Sequence, residues 1–167
     1  MRHIISILLQ NEAGALARVA GMFSARGYNI DSLSVAPTHD PLVSRLTLVT
    51  SGSDAVIDQI VKQATKVVDV VEIVDLSSTD HLECELLMLK VEVAGDARPL
   101  IECARQHRAV ILDESEGTRL LQLAGTGAEI DGFLRDIAET ATVLELVRSG
   151  VAALQRGRQV IAVPAFA

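Results

Sequence analysis

Two hydrophobic spacings alternate along this chain in a fixed order, and the order occurs twice. Ile5, Ile7 and Leu9 recur at every second residue, as on one face of a strand, and the run ends in the turn residues Asn11-Glu12-Ala13-Gly14. Leu16, Val19, Ala20 and Phe23 then fall at i, i+3, i+4 and i+7, one stripe of an amphipathic helix that Gly27 stops. The pattern predicts a second strand over residues 28 to 36, with a change of apolar phase between Ile30 and Leu33 that marks a twist or bulge. After a turn at residues 37 to 41, Leu46 and Leu48 mark a third strand. Ser51, Ser53 and Asp54 then offer capping side chains to a helix that buries Val56, Ile57, Ile60, Val61 and Ala64. Residues 67 to 76, rich in Val and Ile, are the fourth strand.

Ser77-Ser78-Thr79-Asp80 is a polar break, and beyond it the order begins again. Leu87, Leu89, Val91 and Val93 mark a strand, residues 96 to 107 a helix, and residues 110–112 and 119–123 two strands around Glu116-Gly117. Ile130, Phe133, Leu134 and Ile137 mark another helix before a last strand at residues 143 to 147. The expected fold is therefore α+β: two tandem ferredoxin-like βαββαβ units, residues 1–77 and 78–167, each an antiparallel sheet with its helices on one face. Neither unit covers the second face of its sheet with its own helices, so a partner is expected over part of it.

Composition narrows the function classes. The 167 residues carry a net charge of -7 and only 2% aromatic side chains, whereas nucleic-acid binding asks for a basic patch or stacking platforms. No apolar run approaches the length of a membrane span and the first residues lack a secretory pattern, so a cytoplasmic protein is expected. Cys84 and Cys103 are too few for a disulfide framework and read as packing residues. His3, His39, His81 and His107 are scattered, which predicts surface or helix-end positions and no metal site. Asp69, Glu72 and Asp75 read as alternation on a solvated strand edge. Gly125-Thr126-Gly127 lacks the third glycine of a dinucleotide loop and the lysine of a P-loop, so it reads as a strand-to-helix turn, and nothing resembles a nucleophile elbow. Small molecules and protein partners remain.

The stretch QNEAGALARVAGMFSARGYNI holds the candidate site. A helix start exposes unpaired N–H groups with partial positive charge, which accept a carboxylate without a cationic side chain. Gly14 has no side chain, and Ala13 and Ala15 have only methyl groups, so an amino-acid carboxylate can approach the N–H groups of residues 13 to 16. The amides of Asn11 and Asn29 both donate and accept, which suits an ammonium and a carboxylate together. The same residues also fit purely structural duties: Asn11 capping the turn, Gly14 supplying a backbone angle, Asn29 satisfying a strand end.

A family resemblance bears on that choice. The segments Asn11-Glu-Ala-Gly-Ala-Leu16, Arg18-Val19, Gly21-Met-Phe23, Arg26-Gly-Tyr-Asn-Ile30, Ser32-Leu33, Val35-Ala-Pro-Thr38 and Ser44-Arg45 resemble the small, regulatory subunits of acetolactate synthase, whose N-terminal half is an ACT domain. Matches continue through Val68-Asp69-Val70, Leu89-Lys90-Val91, Ala124-Gly125-Thr126, Ile130-Asp131, Phe133-Leu134, Arg148-Ser-Gly150 and Arg156-Gly157. Cys84 stands where the family typically has an arginine, and residues 162–167 fit no part of the resemblance.

The resemblance implies a chain without catalytic residues, cofactor or metal of its own. Its partner would be the large catalytic subunit, which carries thiamine diphosphate, magnesium and FAD. The chain would raise that subunit's activity and add feedback inhibition by L-valine, and it would form a homodimer through its ACT domain. It implies a valine site in which Asn11, Ala13, Gly14, Ala15 and Leu16 of one protomer face Asn29 and Ile30 of its partner. The alternative is a free-standing ACT-type amino-acid sensor acting on another partner. A small ferredoxin-like enzyme has no residues to support it.

Overall fold

The computed structural model of the protein describes residues 1–162, so most of the 162–167 tail lies outside the described residues. The chain divides into two compact units, one of Met1–Leu82 with the described residues from Val151 onward, the other of Glu83–Gly150. The first runs β1 (Arg2–Gln10), α1 (Ala15–Ser24), β2 (Ser32–Pro37), β3 (Val43–Ser51), α2 (Asp54–Ala64) and β4 (Val70–Asp75). The second runs β5 (His81–Glu92), α3 (Arg98–Gln106), β6 (Val110–Ser115), β7 (Thr118–Gly125), α4 (Gly127–Ala138) and β8 (Thr142–Gln155), whose end returns to the first unit. The sheets have the orders β2-β3-β1-β4 and β6-β7-β5-β8, the ferredoxin-like arrangement twice over.

Alternation along β1 sends Ile5, Ile7 and Leu9 to the helices, where they meet Val19, Phe23, Ile57 and Ile60 in one core. In the second unit Leu87, Leu89 and Val91 meet Leu100, Ile130, Phe133 and Ile137 in the same way. The opposite face of the first sheet is not bare. Ile4 and Val49 pack with Leu76, Val151 and Ala153, and Arg45 Nη2 donates to the Ala153 carbonyl at 2.9 Å, so the chain itself supplies part of the cover expected from a partner. In the second unit Leu86 and Met88, which alternate with buried Leu87 and Leu89, are exposed. Among the described residues no helix is long and apolar enough to cross a membrane.

Several boundaries differ from the sequence expectation. β2 begins at Ser32 rather than at Tyr28, because the turn at residues 25–27 is followed by an irregular connection over residues 28–31. The Tyr28 N–H donates to the Phe23 carbonyl at 3.0 Å behind left-handed Gly27, which closes α1, and the Tyr28 ring meets Phe23 edge-on at 6.5 Å. Pairing then runs without a shift from Ser32↔Val49 to Pro37↔Ser44. The phase change at Ile30 is thus a loop-to-strand junction, and the irregularity of this sheet lies between Leu8 and Leu9 against β4. β8 extends to Gln155, well past Val147, since Val151 and Ala153 continue a buried alternation.

Three side chains also differ. Cys103 packs in the second core as expected, but Cys84 is exposed on β5. His3 is not a surface residue: it is buried on β1, with Nδ1 3.5 Å from Asp75 and Nε2 3.6 Å from Asp54. Asp69 is buried instead of solvated. Phe23, fully buried at the centre of the first core, gives a direct test of its packing. Phe23→Ala is expected to cost about 3–5 kcal/mol and to lower the urea midpoint of the first unit accordingly.

Candidate functional site

β1 is hydrogen-bonded on both sides, so the chain leaving its end is held on both sides too. The Gln10 N–H donates to the Asp69 carbonyl at 2.8 Å and the Asn11 N–H to the Leu42 carbonyl at 2.8 Å. The Asn11 amide adds a bond to the Pro41 carbonyl at 2.9 Å, which makes Asn11 an anchor of the turn. Gly14 then stands at the N-cap of α1 with φ 88°, the left-handed region that glycine adopts without strain. The Ala15 N–H is taken by Glu12 and the Arg18 N–H by Gly14, while the N–H groups of Ala13, Gly14, Leu16 and Ala17 have no acceptor among the described residues.

This helix start differs from the other three described. α2 has Asp54 in its first turn; Asp96 Oδ1 accepts the Arg98 N–H at the start of α3; Thr126 and Glu129 form a reciprocal capping box on α4. Each of those ends already carries its own negative charge. α1 has neither a capping side chain nor an acidic residue in its first turn; Glu12, two residues before Gly14, takes the Ala15 N–H with its backbone carbonyl.

A residue pair that no sequence pattern marked completes the turn. Arg18 Nε and Nη2 donate to the two carboxylate oxygens of Asp69 at 2.5 and 2.7 Å, a bidentate pair whose acidic side is only 3% exposed and whose basic side is 48% exposed. The hydrogen bonds from Arg18 hold the Asp69 carboxyl below the usual carboxylate range, against the opposing effect of burial. The same bonds push the Arg18 guanidinium up. A Cβ built on Gly14 would stand 2.8 Å from Arg18 Nη1, so the guanidinium lies directly over the turn. The one signal in the sequence is that Arg18 follows Gly14 by a helical turn; Asp69, 51 residues further on, has no local link to it.

At the other end of α1, Asn29 and Ile30 lie in the connection that precedes edge strand β2. The Asn29 amide donates to Asp31 Oδ1 at 2.7 Å and its carbonyl accepts from Thr50 Oγ1 at 2.6 Å. Ala15 is buried, and Leu16 and Ile30 pack half-buried on the first core. A ten-residue helix spans about 15 Å, so within one chain Asn11 and Gly14 are not brought together with Asn29.

Because the Asp69 pKa is lowered on folding, its pair stabilises the protein above the unfolded aspartate value of about 3.9 and loses that contribution as pH falls through the folded value. Calorimetry on Asp69→Asn should therefore give a lower melting temperature than the unaltered chain at neutral pH, with the gap narrowing as the pH drops below about 4.

Comparison with known proteins gives a consistent family. A model described as an AHAS small subunit-like ACT domain matches residues 5–72, and one described as the small subunit of acetolactate synthase matches residues 84–157. The acetolactate synthase isozyme 3 small subunit of Escherichia coli is 44% identical over 96% of this chain and 99% of its own length. The acetolactate synthase small subunit of Haemophilus influenzae is 44% identical over 95% and 98% respectively. The crystal structure of the acetolactate synthase small subunit from Thermotoga maritima superposes with a TM-score of 0.88 at 29% identity, covering 95% of this chain and 99% of that one.

Proposed function

Given that the chain belongs to the acetolactate synthase small-subunit family, we propose that it is the regulatory subunit that activates the catalytic subunit and makes it sensitive to L-valine in branched-chain amino-acid synthesis. It is a regulatory and not a catalytic chain, with thiamine diphosphate, magnesium and FAD belonging to the large subunit. The cytoplasm is its proposed location. Effector binding and homodimerisation belong to residues 1–77, and the C-terminal domain begins at residue 78, with the described residues from Val151 onward returning to the first unit.

One observation carries the reading: α1 has no capping side chain and no acidic residue in its first turn, and its N–H groups at Ala13, Gly14 and Leu16 have no acceptor among the described residues. An α-carboxylate satisfies those groups, and Gly14 leaves it room. Asn11 and the partner protomer's copies of Asn29 and Ile30 would complete the site, with the valine side chain against Leu16 and Ile30. Pairing through β2 supports this, since β2 is an exposed edge of the sheet and the residues just before it are Asn29 and Ile30. A pocket of this kind separates side chains that differ by one methylene by only about 1–3 kcal/mol, so leucine and isoleucine act at higher concentration. Inhibition requires that valine bind the inhibited state of the complex more tightly than the active one.

The test is acetolactate formation by the catalytic subunit, alone and with this chain, across a valine titration. Activity is expected to rise on addition and to fall as valine is added. In Gly14→Asp the new side chain meets Arg18 Nη1, strains the φ 88° backbone and puts a carboxylate where the effector's belongs, so the fall with valine should disappear. No response to the chain with a matched catalytic subunit would overturn the reading and favour a free-standing sensor.

A further inference from the structure

We infer that Arg18 is itself a binding residue for the effector's α-carboxylate, with Asp69 as the residue that positions it. The inference rests on the amino-acid site proposed above and adds the cation that a helix start alone lacks.

Asp69 engages the guanidinium through Nε and Nη2, which fixes its plane and leaves Nη1 as the third nitrogen. Both N–H groups of Nη1 are without an acceptor among the described residues. That nitrogen is the one nearest the Gly14 turn, 2.8 Å from where a glycine Cβ would be, with Cζ at 3.5 Å and Nη2 at 3.8 Å. The free arm of Arg18 therefore lies over the same turn whose backbone N–H groups at Ala13, Gly14 and Leu16 have no acceptor among the described residues. A carboxylate has two oxygens and suits such a pair of donors, one oxygen toward the backbone and one toward the guanidinium.

Burial divides the labour within the pair. Asp69 is 3% exposed, so its hold on Arg18 is not diluted by water; Arg18 is 48% exposed, so a ligand can reach it. The guanidinium is held in place before the ligand arrives, which lowers the ordering cost of binding. Gly14 is then required twice, once for its left-handed φ and once because any side chain would occupy the space beside Nη1. If Arg18 served only to neutralise Asp69, a lysine would do the same task with one point charge.

That difference sets the experiment. The full chain is titrated calorimetrically with L-valine and with L-valinamide, which keeps the ammonium and the side chain but has no carboxylate. The unaltered chain is expected to bind valine and to discriminate against the amide by about tenfold or more. Arg18→Lys keeps a cation opposite Asp69 but loses the free arm, so valine affinity should fall about tenfold or more while valinamide changes little. Asp69→Asn keeps the arm but loosens it, and should show a smaller loss of the same kind. Equal valine affinity and unchanged discrimination in Arg18→Lys would overturn the inference and leave the effector site standing. No valine binding by the unaltered chain would overturn both. Should Arg18→Lys not fold, the double change Arg18→Gln with Asp69→Asn leaves no buried charge and makes the same comparison.

Discussion

Asp69 ties together three pieces of the first unit that the sequence keeps far apart. Its carbonyl accepts from Gln10 at the end of the central strand, its carboxylate holds Arg18 in the opening turns of α1, and its own chain leads into β4. A carboxylate this deeply buried is tolerable only because both its oxygens are hydrogen-bonded to a guanidinium; taking away either partner leaves a charge or a row of donors unmatched. The geometry of the turn at Gly14 follows from this pair. The strand end cannot drift, and the helix start cannot rotate away from it.

The two units share one architecture and differ in how their helix starts are closed. Asp54 stands in the first turn of α2, and Asp96 and Glu129 accept from the backbone at the starts of α3 and α4, whereas α1 has no capping side chain and no acidic residue in its first turn. The contrast between α1 and α3 is the most telling, since both follow the first strand of their unit. Asp96 lies where it can accept from the helix backbone, whereas the corresponding turn of the first unit has Gly14, with no side chain to offer. The same fold therefore presents a closed helix start in one unit and an open one in the other, and the difference is a matter of a few side chains in a turn.

Much of this was legible in the sequence because it is periodic. Ile5, Ile7 and Leu9, and again Leu87, Leu89 and Val91, report one face of a strand; Val19 with Phe23, and Ile130 with Phe133 and Ile137, report one face of a helix. The boundaries were less legible where a tertiary contact overrides the local pattern. Tyr28 and Ile30 look like strand residues by composition, yet they pack on the helix core from an irregular connection in which the Asn29 amide donates to Asp31. Val151 and Ala153 lie past the expected end of the last strand because the other face of the first sheet buries them.

What the sequence by itself determined is the fold class, the doubling of the unit and the glycine turn before the first helix, since each is written in residues that are neighbours or recur at a fixed step. What only the tertiary structure decided is the company that turn keeps. Arg18 and Asp69 are 51 residues apart, and Asn29 lies at the far end of the helix from Gly14. An ion pair between distant segments leaves no periodic trace, because its geometry is set by how strands stack in a sheet and not by the order of residues along any one of them.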